Sequence, residues 1–266
     1  DQKLPPPSSS VSKARPRRMG PGDLTLTPEQ IRHFRHTGYL KLPTAMPAER
    51  VEELRHAIQA DVDAAADPVV RDDTGRVVRL SKLLDRDRIF HKTVTDERVL
   101  HPLSGLLGPH IEMVHNRHNH ATLNLASRNS DHFHRDVMQW SRSIVTVIFY
   151  LEETNLDNDC THLIPGTHLL PGVQVLHKID ETDWVADACL DEQAIPVPMV
   201  AGSMLAIDSL VFHRAGTNKT QGTRMSMTVG YRSVDELATV EDPTVELVYG
   251  ERPYIGNDGA RRLPSA

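Results

Sequence analysis

Apolar side chains recur along this chain at two periods, and the change from one to the other falls near residue 110. Before it the steps are three and four. Thr27-Pro28-Glu29-Gln30 predicts a helix start, with Thr27 as cap, Pro28 at the first position and Gln30 closing a capping box. Ile31 and Phe34 face inward, Gly38 stops the helix, and Tyr39 to Leu42 reads as a strand. A second helix begins near Pro47 and carries Val51, Leu54, Ile58 and Val62 on one face. Glu49, Glu52 and Glu53 lie in its first turns, where acids oppose the helix dipole. Val69-Val70 and Val77-Val78 flank a polar run containing Gly75, which predicts a hairpin. Asp96 to Leu107 reads as a helix stopped by Gly108-Pro109.

From Ile111 the period is two. Ile111 to Ala126 reads as one strand that is polar on both faces: His115, Arg117 and Asn119 on one, Asn116, His118, His120 and Asn124 on the other. Polar groups in a buried strand need partners, so this strand is expected to line a polar pocket. Ser143 to Leu151, rich in β-branched and aromatic residues, is expected at the centre of a sheet. Ile195 to Val200 holds two prolines and suits an edge. Gly202 to Ile207, Leu210 to His213 and Met225 to Tyr231 complete the strands. Helices followed by many short strands imply an α+β chain around an all-β barrel or sandwich. Residues 1–23, with Pro5-Pro6-Pro7 and a basic cluster, read as a flexible N-terminal arm. Residues 24–266 read as one domain, with 169–195 as an insertion or lid.

Composition narrows the function. A net charge of −6 provides no basic field for nucleic acid or an anionic membrane. No apolar run approaches the length of a membrane span. The two cysteines are too few for a disulfide framework, which fits a reducing cytoplasm and moves the search for metal ligands elsewhere. The 15 histidines direct that search, because histidine is the commonest transition-metal ligand.

Asp131 to Asp136 contains a His-x-Asp triplet, His134 and Asp136, whose side chains project to one face of an extended segment. His213 supplies a second imidazole. Two histidines and a carboxylate are the ligand set of a non-heme iron(II) site with open positions. The triplet also spells His-Arg-Asp, but a kinase catalytic loop needs an asparagine where this chain has Ser141, and no glycine-rich phosphate loop is present. Arg224, eleven residues after His213, offers a bidentate fork to a carboxylate, and Ser226 a second donor on the same side. The alternative reading is a cupin-like zinc or manganese hydrolase or isomerase that has no use for a dicarboxylate clamp.

Five segments in order resemble the phytanoyl-CoA dioxygenase family of iron(II)- and 2-oxoglutarate-dependent oxygenases: Phe34 to Tyr39, His134-Arg135-Asp136, Ile164-Pro165-Gly166-Thr167-His168, His213, and Arg224-Met225-Ser226. The resemblance spans roughly residues 27–232 and implies a double-stranded β-helix, or jelly roll. It implies iron(II) on His134, Asp136 and His213, with 2-oxoglutarate held through its distal carboxylate by Arg224 and Ser226, and O2 and a small-molecule substrate as reactants. Ectoine hydroxylases of this family have Gln-Ser-Arg-Ile-Asn where this chain has His115 to Asn119. That implies cosubstrate contacts for Asn119 and, in place of the glutamine, His115. Trp140 matches an aromatic residue bordering the substrate pocket. Apart from the resemblance, Arg117, Arg128, Arg135 and Arg142 cluster around the site with His118, His120 and His132, which favours an anionic or polyhydroxylated substrate, and a secondary metabolite or an amino acid over a CoA thioester. The carboxylate of Asp136 disfavours halogenation, for which related enzymes keep a small residue there.

Overall fold

The structure, a computed structural model, describes residues 24–125, 132–137, 144–170, 188–234 and 243–252. The expected arm, and residues 171–187 of the expected insertion, lie outside them.

Local chemistry sets the helices. Helix α1 (Pro28–Thr37) has the capping box at both ends of the Thr27–Gln30 pair and closes on Gly38 in the left-handed region. Helix α2 (Ala48–Asp63) follows strand β1 (Tyr39–Ala45) and buries Val51, Leu54 and Ile58. The hairpin is strands β2 (Val69–Arg71) and β3 (Val77–Ser81). Helix α3 (Arg88–Val94), capped by Asp87, has no counterpart in the sequence reading because its seven residues span less than two full apolar repeats. Helix α4 (Glu97–Leu107) is capped by the side chain of Asp96 and ends at Gly108.

The expected strand from Ile111 to Ala126 is two strands in one lane. Strand β4 (Ile111–Val114) and strand β5 (His120–Thr122) both pair with the same edge of β11 (Ser226–Ser233), β5 at its start and β4 at its end. A turn at residues 115–118 interrupts them, with His118 at φ 62°. On the other edge of β11 lies β6 (Ile144–Tyr150), central as expected. The remaining strands are β7 (Thr161–Leu163), β8 (Ile195–Val197), β9 (Ser203–Asp208), β10 (His213–Arg214) and β12 (Val245–Tyr249). The strand expected over Leu210 to His213 begins only at His213, because Asp208 turns the chain by accepting from the Leu210 amide at 2.9 Å.

All pairings are antiparallel. The large sheet runs β1-β9-β6-β11-β5-β3-β2, with β4 beside β11 and β12 beyond β4; the small sheet runs β10-β7-β8. Alternation along β6 and β11 divides the interior. Val145, Val147, Phe149, Met227, Val229 and Tyr231 join Leu54, Ile58, Phe90 and Leu103 in the core under the helices. Each such side chain contributes about 1.5–3 kcal/mol when fully buried. Thr146, Ile148, Tyr150, Ser226 and Thr228 face the other way and line a cavity of about 490 Å³. The small sheet closes over this face through Leu163 and Val197, which together with Val211 ahead of β10 pack with Tyr150, Leu205 and Ile207. Two facing antiparallel sheets with helices on the outer side of the larger one are the expected double-stranded β-helix.

Candidate metal centre

His134 and His213 are held by main chain. The His134 amide donates to the His213 carbonyl at 2.9 Å and the His213 amide returns the bond at 3.0 Å, while the Asp136 amide donates to the Ser209 carbonyl at 2.9 Å. Arg135 between them turns away, its guanidinium 4.4 Å from the centre of the Phe212 ring and donating to the Thr167 carbonyl at 2.6 Å.

This places one nitrogen from each histidine and one oxygen of Asp136 within 4.8 Å of one another. Asp136 Oδ1 lies 3.5 Å from His213 Nε2 and 3.9 Å from His134 Nε2. The other ring nitrogens are engaged: Nδ1 of His134 faces the His132 carbonyl at 3.1 Å, and Nδ1 of His213 the Val211 carbonyl at 2.9 Å. A carbonyl only accepts, so both Nδ1 atoms carry the proton and both Nε2 lone pairs point at the shared space.

Asp136 Oδ2 accepts from Thr146 Oγ at 2.9 Å and lies 3.2 Å from His118 Nε2. Burial would raise the Asp136 pKa, but His213, His118 and His134 outweigh it and hold the carboxyl below its ordinary range. Burial, reinforced by His213, pushes His134 down to about 4. A neutral His134 beside a charged Asp136 is the protonation state in which these two ligands take up a divalent metal. With hard oxygen and borderline nitrogen donors, one metal face and a polar cavity beyond it, these residues fit iron(II).

At another part of the same cavity, Arg224 is buried and donates to the carbonyls of Ala215 at 3.0 Å and Gly216 at 2.9 Å, and also to that of Asp159. These bonds fix the guanidinium plane. Ser226 shares a hydrogen bond with Thr122 at 3.1 Å, and Tyr150, kept protonated by burial, shares one with Thr161 at 2.9 Å.

Five of the expected site residues thus line one cavity: His134, Asp136, His213, Arg224 and Ser226. His115 and Asn119 do not. His115 Nε2 donates to Glu246 at 2.8 Å, and Asn119 accepts from the buried Leu84 amide at 2.9 Å and donates to the His115 carbonyl at 3.2 Å. Their polar groups are taken up elsewhere: His115 by Glu246 of β12, Asn119 by the Leu84 amide and by the turn itself. Trp140, Arg128 and Arg142 lie outside the described residues. His118 and His120, expected near the site, do line the cavity, and residues given no role there join them: Thr122 and Asn124 from the β5 lane, and Arg79 from β3. The two-residue alternation had placed His118, His120 and Asn124 on one face. Nothing in the sequence singled out Arg79, since a charge in a hairpin strand reads as solvent-facing.

Fold and donor set together define a non-heme metal enzyme of the double-stranded β-helix class. The chain belongs to the phytanoyl-CoA dioxygenase (PhyH) family, whose profile matches residues 34–226, and it is an iron(II)- and 2-oxoglutarate-dependent oxygenase. Similar solved structures include the epimerase SnoN in complex with Fe3+, alpha ketoglutarate and nogalamycin RO, at 18% identity and TM-score 0.65, covering 88% of this chain and 98% of that one. The alpha ketoglutarate-dependent carbocyclase SnoK from nogalamycin biosynthesis matches at 17% identity and TM-score 0.67, covering 84% and 96%. EctD from S. alaskensis with bound Fe matches at 18% and 0.66, covering 85% and 84%. At these identities the likeness establishes the fold. No curated protein sequence matches the chain. Neither family nor fold supports the zinc or manganese hydrolase alternative. No helix among the described residues is long and apolar enough to cross a membrane.

Proposed function

We propose that His134, Asp136 and His213 hold the iron(II), that Arg224 and Ser226 hold the distal carboxylate of 2-oxoglutarate, and that the protein oxidises a small polar molecule of biosynthetic origin. The observation that carries this reading is the convergence, on one cavity, of three aimed metal donors and a buried arginine. Iron and 2-oxoglutarate together supply oxidation of a substrate C–H bond by O2, with 2-oxoglutarate converted to succinate and CO2. The protein's share is placement: carbonyls fix both imidazole tautomers, Thr146 holds the carboxylate, and carbonyls around Arg224 hold its fork in plane.

The cavity volume suits a compact ligand beside the cosubstrate. Its floor favours an anionic or polyhydroxylated one. Tyr150, Ser226, Thr122 and Arg79 form one row across four strands. At about 4.8 Å per strand, Arg79 sits roughly 14 Å across the sheet from Tyr150, with His120 on the lane between. The biosynthetic setting named for SnoK supports a secondary metabolite over a CoA thioester.

Anaerobic addition of iron(II) and 2-oxoglutarate is expected to give a weak visible charge-transfer band near ~500 nm, absent from His213→Ala and needing far more 2-oxoglutarate in Arg224→Ala. A wild-type protein that binds iron(II) and develops no such band with 2-oxoglutarate refutes the reading.

A further inference from the structure

We propose that His118 is a positioning residue for Asp136, clamping one oxygen of the carboxylate so that the other alone is presented to the metal. The inference rests on the assignment of Asp136 as a ligand and adds to it a residue outside the family pattern, since the ectoine hydroxylase run has isoleucine at this place.

The two carboxylate oxygens of Asp136 have separate surroundings. Oδ1 faces the two histidine Nε2 atoms. Oδ2 faces Thr146 Oγ at 2.9 Å and His118 Nε2 at 3.2 Å. His118 Nε2 is buried and makes no hydrogen bond of good geometry among the described residues; its 3.2 Å approach to Oδ2 is the ion-pair contact that would satisfy it. A threonine hydroxyl alone leaves a carboxylate free to pivot about its Cβ–Cγ bond; a second group on the same oxygen removes that freedom. Oδ1 then takes a single metal position, and the remaining positions stay open for a chelating cosubstrate and O2.

The backbone around His118 is built for this task. At φ 62° it occupies the left-handed region, disfavoured for a side chain by about 1 kcal/mol or more but tolerated by histidine better than by most. The turn is fixed from several sides. The His115 amide donates to the Thr244 carbonyl at 2.7 Å, Asn119 ties the Leu84 amide to the His115 carbonyl, and Arg117 donates to the carbonyl of Asp136 itself. One turn therefore grips Asp136 at its main chain through Arg117 and at its carboxylate through His118. The commitment of His115 and Asn119 to the turn gains a purpose: they hold the backbone that aims His118.

Two variants and a control test this. Asn accepts the left-handed backbone but is too short to reach Oδ2, so His118→Asn removes the clamp and keeps the turn; His118→Gln keeps a donor of sufficient reach. Iron(II) affinity, measured anaerobically by competition with a chromophoric chelator, is expected to fall about 10–100-fold in His118→Asn and to recover most of the loss in His118→Gln. Thermal melting of each variant establishes that it folds. Loading with copper(II) and counting coordinated imidazoles by electron spin echo modulation is expected to give two in wild type and in His118→Asn alike. Unchanged iron(II) affinity in His118→Asn, while His213→Ala loses it, overturns the inference and leaves the metal site standing. Loss of an imidazole signal in His118→Asn overturns it by making His118 a ligand. Unchanged affinity in His213→Ala brings down the metal assignment and this inference with it.

Discussion

Gly38 connects the N-terminal helix to the metal centre, and its replacement by alanine is expected to damage both. The residue ends α1 at φ 78°, its amide bonded to the Phe34 carbonyl at 2.7 Å and its carbonyl to the Asp208 amide at 2.8 Å, so the backbone cannot swing to another conformation. An added Cβ would lie 2.6 Å from His168 Nδ1 and closer still to Val211 Cγ2, a fully buried side chain. The left-handed conformation costs alanine about 1–2 kcal/mol, and overpacking about 1–3 kcal/mol more. Taking the sum near ~3 kcal/mol, at about 2–4 °C per kcal/mol for a chain of this size, the melting temperature should fall by roughly 6–12 °C. Gly75→Ala is the control. It also has positive φ, 85°, but nothing lies within 4 Å of its added Cβ, so it isolates the backbone contribution. Because the Val211 carbonyl fixes the His213 tautomer, displacing Val211 should weaken metal binding in Gly38→Ala and leave Gly75→Ala unaffected. Calorimetry of the metal-free proteins and cobalt(II) titration give the two readouts. A Gly38→Ala protein that melts no lower than Gly75→Ala refutes the steric argument.

Thr146→Val removes a charge-assisted hydrogen bond of about 1.5–3 kcal/mol from Asp136 and should weaken cobalt(II) binding about 10–100-fold, with Thr146→Ser close to wild type; equal affinities for Val and Thr would end that assignment. Once a substrate is in hand, Arg79→Gln should raise its KM while leaving the KM for 2-oxoglutarate unchanged, and a rise in the latter alone would make Arg79 a cosubstrate residue. Glu246 is pushed up by burial, but hydrogen bonds from His91 and His115 outweigh this and lower its pKa. A folded pKa below the unfolded one stabilises above the ordinary carboxylate value of about 4.3, and that stabilisation disappears as the pH falls through the lowered folded value. Glu246→Gln should therefore melt below wild type at pH 7, with the gap closing in acid; a gap unchanged into acid would show that the hydrogen bonds to the ionised carboxylate are not its source.

Caps and periods made most elements legible. The Thr27 capping box, the apolar face of α2 and the β-branched run of β6 each specify their element locally, without help from the rest of the chain. Strand β12 escaped because it is half-exposed and gains its pairing only from β4, more than a hundred residues earlier. The break between β4 and β5 escaped because nothing local marks His118 as left-handed. At the site, five residues expected from their ligating or charged groups, His134, Asp136, His213, Arg224 and Ser226, line the same cavity. His115 and Asn119 show the opposite lesson. Family resemblance set their register, whereas alternation put His118, His120 and Asn124 together on one face, and it is that face which meets the cavity. Arg79 reached the site through strand pairing with Thr122, information that exists only after the sheet forms.

The reciprocal amide bonds between His134 and His213 have an evolutionary consequence. Any residue but proline can donate and accept a main-chain hydrogen bond, so this tie between the two segments does not depend on which side chains surround them. Substitutions in the cavity wall that do not touch Asp136, unlike those at Thr146 and His118, leave the spacing of the two imidazoles where it was, and binding preference can drift separately from it. An engineer gains the same freedom: positions such as Arg79, His120 and Thr228 can be randomised together, with retention of cobalt(II) binding as the first screen.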